Sequence, residues 1–215
     1  MQTVVLAAGA GTRMRPLTDR RPKPTVPVAD RTLVEHVVDG AVAAGASRVV
    51  VVVGYAAGAV RDALGDRDVT FVRQERQRGT ADAVRAARDE LDDAPFAVLN
   101  GDVLYDQESL DALYDAGPAV GASRVDDPEH YGVLETEGER VVGVSEKPAN
   151  PASNLVNAGA YVFPAAARAW LDGVDESERG EYELTDVLTR ACEATTVRAV
   201  TVDRWLDVGR PWELL

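Results

Sequence analysis

Four charged side chains in this sequence stand where they could handle phosphate: Arg13, Lys23, Asp102 and Asp207. The first two fall in the string VVLAAGAGTRMRPLTDRRPKPTVPV, residues 4–28. An apolar run, Val4-Val5-Leu6-Ala7-Ala8, stops at Gly9-Ala10-Gly11-Thr12. Arg13, Arg15, Arg20, Arg21 and Lys23 follow, among Pro16, Pro22, Pro24 and Pro27. A strand that ends in a small-residue turn leaves a row of backbone N–H groups uncovered, a cradle for phosphate oxygens. The cations behind the turn suit a polyphosphate. The prolines are expected to hold the loop in one extended shape, which lowers the cost of ordering it. A strand followed by an ordinary basic surface loop is the competing reading of the same residues. Two known phosphate signatures fail here: Met14 occupies the last position of a G-x-G-x-x-G, and no G-x-x-x-x-G-K-[ST] occurs.

Asn100-Gly101-Asp102 follows a short apolar run. A carboxylate there, beside a glycine, can hold Mg²⁺ that also touches phosphate oxygens; a turn aspartate that caps the next segment is the bland alternative. Asp207, in Trp205-Leu206-Asp207-Val208-Gly209, is the natural second ligand, because Mg²⁺ is commonly bound by one or two carboxylates plus substrate phosphates. Gln74 opens the string QERQRGTADAV. Its amide can donate and accept at once, as the edge of a nucleobase requires. Thr80, in Gly79-Thr80-Ala81, reads as an N-cap for a helix that follows. Glu146-Lys147 taken alone is a solvated ion pair on a strand edge. His36 and His130 read as surface or structural residues.

These residues need elements to position them. Apolar spacing predicts helices over residues 32–44, 56–64 and 80–91, and strands over 49–53, 69–73 and 96–99. That βαβ series implies a mostly parallel sheet with helices on both faces. After Leu104 the pattern changes to strands over 119–124, 132–136, 140–144 and 158–163, with Glu137-Gly138-Glu139 as a hairpin turn. A helix over 183–194 and strands over 197–202 and 205–208 complete the pattern, with a last helix from Pro211. Ligands of open α/β sheets bind at the carboxyl ends of the strands, which gathers Ala7-Ala8-Gly9, Gln74 and Asn100-Gly101-Asp102 around one crevice. A chain of 215 residues suits one domain. The nucleotide side is expected at about residues 1–104 and the other substrate at about 105–215.

Composition narrows the function. A net charge of −13 argues against general nucleic-acid or anionic-membrane binding. No apolar run approaches the ~20 residues that span a bilayer, and Met1 leads directly into the first strand, so a cytoplasmic protein is expected. The single Cys192 leaves no intramolecular disulfide. Of 23 basic residues only Lys23 and Lys147 are lysine, and a chain that avoids lysine this strongly has reason to keep two for chemistry. The acidic, lysine-poor surface resembles that of proteins from salt-accumulating organisms; arginine-biased codon usage would give the same composition.

Residues 6–28 closely resemble the signature of the sugar-phosphate nucleotidyltransferases, the glucose-1-phosphate thymidylyl- and uridylyltransferases and their relatives. Asn100-Gly101-Asp102 and Trp205-Leu206-Asp207-Val208-Gly209 look like that family's metal motifs, and Gly79-Thr80-Ala81 like its base-reading turn. His130-Tyr131-Gly132, Glu146-Lys147-Pro148 and SNLVNAGAYVF resemble its sugar-phosphate motifs, and residues 180–186, Gly-Glu-Tyr-Glu-Leu-Thr-Asp, shape the sugar end of its cleft. The resemblance implies a Rossmann-like three-layer α/β/α fold with an inserted antiparallel sugar-binding portion. It implies nucleotide binding by Leu6, Ala7, Ala8, Gly9, Gly11, Thr12, Arg13, Gln74, Gly79, Thr80 and Asp102, with Arg13 and Lys23 catalytic. It implies sugar-phosphate binding by Tyr131, Gly132, Glu146, Lys147, Asn157 and Tyr161, and Mg²⁺ on Asp102 and Asp207. The implied substrates are UTP or dTTP and glucose 1-phosphate, with GTP-dependent mannose-1-phosphate or N-acetylglucosamine-1-phosphate versions as alternatives. Some relatives are non-catalytic regulatory subunits; the presence of Arg13, Lys23, Asp102 and Asp207 argues against that role here. A molybdenum-cofactor nucleotidyltransferase is disfavoured by Tyr131-Gly132 and Glu146-Lys147-Pro148. The chain stops at Leu215, so no hexapeptide-repeat acetyltransferase half is expected, and a homo-oligomer is compatible with the pattern.

Overall fold

The computed structural model describes residues 1–9, 11, 14, 16, 18, 19 and 21–207. The first half is the expected βαβ series: β1 (Gln2–Ala7), the short pair β2 (Pro27–Val28) and β3 (Arg31–Thr32), α1 (Leu33–Ala43), β4 (Arg48–Val53), α2 (Ala57–Leu64), β5 (Thr70–Arg73), α3 (Thr80–Ala86) and β6 (Phe96–Asn100). β4 and β6 flank β1 in parallel and β5 extends β4, also in parallel. The period-2 alternation of β1 divides its side chains between two cores. Val4 and Leu6, with Ala8 just beyond, face the layer that contains α3; Val5 and Ala7 face α1 and α2. Both faces are covered, so the strand is apolar nearly throughout.

The second half comprises β7 (Val103–Tyr105), α4 (Gln107–Asp115), β8 (Ala119–Arg124), β9 (Gly132–Glu137), β10 (Arg140–Glu146), β11 (Leu155–Phe163), α5 (Ala167–Trp170), α6 (Leu184–Ala194), β12 (Arg198–Thr201) and β13 (Trp205–Asp207). Among the described residues the main sheet has nine strands in the order β5-β4-β1-β6-β11-β8-β12-β10-β9. β11 joins the parallel half antiparallel to β6, and β9 and β10 form the expected hairpin, turning at Gly138 with φ +62°. α5 and α6 pack on the face shared with α3, and α4 packs on the face shared with α1 and α2, which completes three layers. No helix among the described residues is long and apolar enough to cross a membrane.

The expected helix over 80–91 ends early. α3 stops at Ala86 because the Ala87 N–H turns to the Val84 carbonyl at 3.0 Å, and a 3₁₀ turn over Arg88–Glu90 follows. α4, α5 and β7 go beyond the sequence expectation. The proline-rich loop is not extended at Lys23: Lys23–Thr25 is a 3₁₀ turn, closed by the Thr25 N–H on the Pro22 carbonyl at 3.0 Å and the Val26 N–H on the Lys23 carbonyl at 3.0 Å. The expected final helix from Pro211 lies outside the described residues.

Candidate active site

Lys23 is the residue on which the site converges. Its Nζ lies 2.8 Å from an Asp102 oxygen and 3.2 Å from an Asp207 oxygen, and the side chain is only 7% exposed. Burial works against its charge, but the two carboxylates outweigh burial and hold its pKa above the ordinary lysine value. Two features bring these groups together. Gly11, with φ +59°, backs the lysine stem so closely that a Cβ there would stand 2.6 Å from Lys23 Cβ. β13 pairs antiparallel with β7, Asp207 opposite Val103, which sets Asp207 next to Asp102 although 105 positions separate them in sequence. Trp205 locks that ladder from behind, its indole N–H donating to the Ala158 carbonyl at 3.0 Å, and the Tyr105 hydroxyl donates to the Gly159 carbonyl at 2.9 Å.

Two adjoining cavities share Lys23 and Asp102. The larger, about 650 Å³, opens at the carboxyl ends of β1 and β6 and is lined by Leu6, Ala8, Gly9, Gly11, Gln74, Gly79 and Thr80, with Lys23, Asp102 and Lys147 on the common wall. The smaller, about 220 Å³, is lined by Tyr131, Gly132, Glu146, Asn157 and Tyr161, with Asp207 and the same three charged residues. Every sequence-predicted residue of both sets is thus gathered here, with three exceptions. Ala7 is fully buried on the opposite face of β1, against α1 and α2, because the strand alternation that aims Leu6 and Ala8 at the cavity aims Ala7 away. Thr12 and Arg13 lie outside the described residues.

Several roles expected from sequence change once partners are visible. Thr80 does not cap its own helix; Gly79 is the N-cap, and the Thr80 hydroxyl accepts the Leu184 N–H at 3.0 Å, tying α3 to the start of α6. Gly79, φ +110°, is pressed on the backbone of Tyr182, where a Cβ would meet the Tyr182 carbonyl oxygen at 2.4 Å. Residues 180–186 therefore shape the larger cavity as well as the smaller. The Gln74 amide is committed inside the protein: Nε2 donates to Asp82 at 2.9 Å and to the Gly79 carbonyl at 3.2 Å. Burial pushes the Asp82 carboxyl up, but hydrogen bonds from Gln74 and Arg85 prevail and hold it below its ordinary value. Gln74 thus fixes the turn, and its donor capacity is already used.

In the smaller cavity Gly132 faces Glu146 across the β9–β10 ladder, with room for little more than hydrogen: a Cβ would lie 3.1 Å from a Glu146 oxygen. Tyr131 meets Trp205 edge-on, ring centroids 5.3 Å apart. Asn157 donates to the Tyr161 hydroxyl and accepts the Gly159 N–H at 2.8 Å, while burial raises the Tyr161 pKa. Lys147 has φ +44°, a left-handed backbone unusual for a side chain with a Cβ, and its ammonium sits 3.5 Å from Glu146. Sequence reasoning missed Arg179, which lines the larger cavity and bonds Glu146 at 3.3 Å and Glu183 at 3.1 Å. It also missed Gln77, which lines the larger cavity, and the place of His130, which is exposed yet lines both. Arg179 immediately precedes a motif already singled out, and Gln77 lies inside another; adjacency was the available signal.

The donor set fits a divalent cation. Asp102 and Asp207 already converge on one positive centre, the Lys23 ammonium, so both can face a metal ion at that point. Among the described residues no group of three or more metal-ligating side chains occurs, so substrate oxygens would have to complete the shell.

A family model, nucleotidyl transferase, matches residues 2–215. The chain belongs to the nucleotidyl transferase family. It is 37% identical to the bifunctional protein GlmU of Methanococcus vannielii over 100% of its own length and 53% of that protein's, so it spans about half of this relative. It is also 37% identical to the UTP–glucose-1-phosphate uridylyltransferase AglF of Haloferax volcanii, over 98% of its own length and 92% of the relative's. The fold matches that of a UDP-glucose pyrophosphorylase solved with UDP-glucose, with a TM-score of 0.86 at 22% identity, covering 99% of this chain and 95% of the other.

Proposed function

We propose that this protein transfers a nucleoside monophosphate from a nucleoside triphosphate to a sugar 1-phosphate, releasing pyrophosphate. The observation that carries this reading is the Lys23–Asp102–Asp207 cluster, with Lys23 and Asp102 on the common wall of two cavities and Asp207 lining the smaller. A wall of that kind is where two anionic substrates would meet. UTP and glucose 1-phosphate are the favoured pair, with dTTP next, because the relative with nearly full mutual coverage is named for the UTP reaction. The chain is read as one catalytic unit, its nucleotide part at about residues 1–104 and its sugar-phosphate part at about 105–215, working in the cytoplasm on small molecules and not on nucleic acid or membranes.

In this reaction an oxygen of the sugar phosphate attacks the α-phosphorus in line. A new P–O bond forms as the bond to the β-phosphate's bridging oxygen breaks, and pyrophosphate departs. Positioning and charge neutralisation supply most of the acceleration in such transfers. The uncovered backbone at Gly9 approaches the triphosphate, with Arg13 on its β- and γ-phosphates, while Gly11 backs the Lys23 stem. Gly79, set by Gln74 and backed by Tyr182, forms the base-reading turn with the backbone of Leu6 and Ala8. Gly132, Glu146, Asn157 and Tyr161 hold the sugar, and Lys147 its phosphate. Asp102 and Asp207 would hold Mg²⁺, which when bound supplies Lewis-acid charge to phosphate oxygens. The Lys23 ammonium, on the wall common to both cavities, would neutralise phosphate charge. The test is a panel of triphosphates crossed with sugar 1-phosphates, read by pyrophosphate release with and without EDTA. UTP with glucose 1-phosphate is expected to lead, with no activity in EDTA; absence of pyrophosphate from every pair overturns the reading.

A further inference from the structure

We infer that a third cavity, formed by the end of β5, the loop after it and α3, is a binding site for a small phosphate-bearing anion. It measures about 360 Å³ and is lined by Arg73, Arg76, Arg78 and Arg85, with Glu75 and Asp82. Among the described residues it shares only Gln74 with the larger cavity and none with the smaller. It is therefore a site apart from the transfer reaction and does not rest on it.

The charge of this cavity runs against that of the molecule. The chain carries −13 overall, yet four guanidinium groups and two carboxylates line the cavity, a surplus of two positive charges. Compensation within it is uneven. One Asp82 oxygen serves both Arg78, at 3.0 Å, and Arg85, while the other accepts from Gln74 at 2.9 Å. Glu75 reaches Arg73 only at 3.7 Å, and both side chains are mostly exposed, so that pair contributes little. The Arg76 guanidinium has no partner among the described residues. Two of the four cations are also held in place. Besides bonding Asp82, Arg78 and Arg85 lie 5.4 and 5.3 Å from the centroid of the Tyr182 ring, so less side-chain freedom is lost when a ligand binds. A guanidinium carries five N–H donors, of which Asp82 occupies a minority, and its planar fork matches phosphate oxygens in pairs. The volume falls at the small end of the roughly 300–1,000 Å³ of small-molecule sites, which admits a phosphate monoester as well as the free ion.

Amide hydrogen exchange over residues 73–86, followed as inorganic phosphate is added at constant ionic strength set with KCl, reads occupancy of this site. Arg73→Gln/Arg76→Gln removes two of its cations and leaves the Asp82 bonds intact. Arg140→Gln/Arg198→Gln removes the same charge from exposed positions paired across β10 and β12. Phosphate should slow exchange over this segment in the wild-type protein. Its Kd should weaken about tenfold in Arg73→Gln/Arg76→Gln, the scale of one lost hydrogen bond to a charged group, and stay within twofold in Arg140→Gln/Arg198→Gln. The titration is repeated with glucose 6-phosphate: a lower Kd than that of phosphate assigns the site to a phosphate monoester, and an equal Kd assigns it to the free ion. Equal weakening in the two double variants would show a general effect of charge and overturns the inference. So does undiminished binding in Arg73→Gln/Arg76→Gln, or no protection of the segment at about 10 mM phosphate, a concentration that would fill even a millimolar site.

Discussion

At the scale of single residues the site is organised by an internal cation. Asp102 and Asp207 both bond the Lys23 ammonium, so a metal ion that arrives alone must displace a buried positive charge at short range, where Coulomb terms reach about 4 kcal/mol at an effective dielectric of 20. A metal that arrives with a triphosphate brings oxygens that complete its shell and an anion that can receive the ammonium. Lys23→Gln removes the competitor. Mn²⁺ binding without nucleotide, measured by electron paramagnetic resonance, should tighten at least about tenfold in Lys23→Gln, while turnover falls. Equal Mn²⁺ affinity in the two proteins would show that the lysine does not guard the carboxylates. Lys147 poses a different question. Its left-handed backbone, φ +44°, strains any residue with a Cβ, so Lys147→Gly should be more stable than Lys147→Ala by about 1 kcal/mol once the greater unfolded-state freedom of glycine is counted. Both variants should raise the KM for sugar phosphate alike, since both lose the ammonium. Equal melting temperatures would mean that the backbone there is relaxed. Lysine scarcity picked out both residues from sequence. Neither the bond between Lys23 and the two carboxylates nor the strain at Lys147 could be read there, because both depend on contacts and dihedrals closed over long sequence separations.

At the scale of elements, the parallel half of the sheet was legible because buried parallel strands such as β1 and β4 are continuous apolar runs bounded by glycine and charge. β7 was not, since three residues, Val103–Tyr105, are too few for a period. Yet β7 is what places Asp207 beside Asp102, so the motif strings predicted the pair and not the ladder that makes it. α4 could have been found: Asp106 caps it by accepting the Ser109 N–H at 2.9 Å, and Leu110, Leu113 and Tyr114 follow at helical spacing. The glycines of the first two motifs differ in the space around them, which only the structure reveals. At Gly79 a Cβ would stand 2.4 Å from the Tyr182 carbonyl oxygen; at Gly9 nothing lies within 4 Å. Gly79→Ala should therefore destabilise the protein by about 3 kcal/mol, through overpacking plus a disfavoured φ. Gly9→Ala should leave stability within about 0.5 kcal/mol and instead weaken nucleotide binding, because the new methyl enters the cavity. Chemical denaturation and nucleotide titration of the two variants check this. A destabilised Gly9→Ala, or a Gly79→Ala as stable as wild type, would reverse the assignment.

At the scale of the whole molecule the balance of charge decides how the protein responds to salt. Acidic side chains number 36 against 23 basic ones, a net charge of −13. Many of the basic ones are arginines in ion pairs with exposed or half-exposed carboxylates, such as Arg67 with Asp39 and Glu35, and Arg31 with Asp39. Salt screens those attractions and also the repulsion among unmatched acids, so the sign of its effect depends on which is larger. Exposed pairs contribute about 0–1 kcal/mol each. The unmatched acids act over the whole surface, because the screening length is about 10 Å at 0.1 M salt and shrinks to about 3 Å at 1 M. Repulsion should therefore win, and the melting temperature should rise with KCl up to roughly the molar range, where screening is complete. General salting-out of apolar surface would also raise it, and a variant separates the two. Asp66, Asp68, Asp92 and Asp93 are exposed. Converting all four to asparagine removes part of the repulsion and leaves the core untouched. The variant should melt higher than wild type at low salt and gain less from KCl, so that the two curves converge near 1 M. Parallel curves would assign the salt effect to the apolar surface, and a flat or falling wild-type curve would mean that the excess acid does not strain the fold.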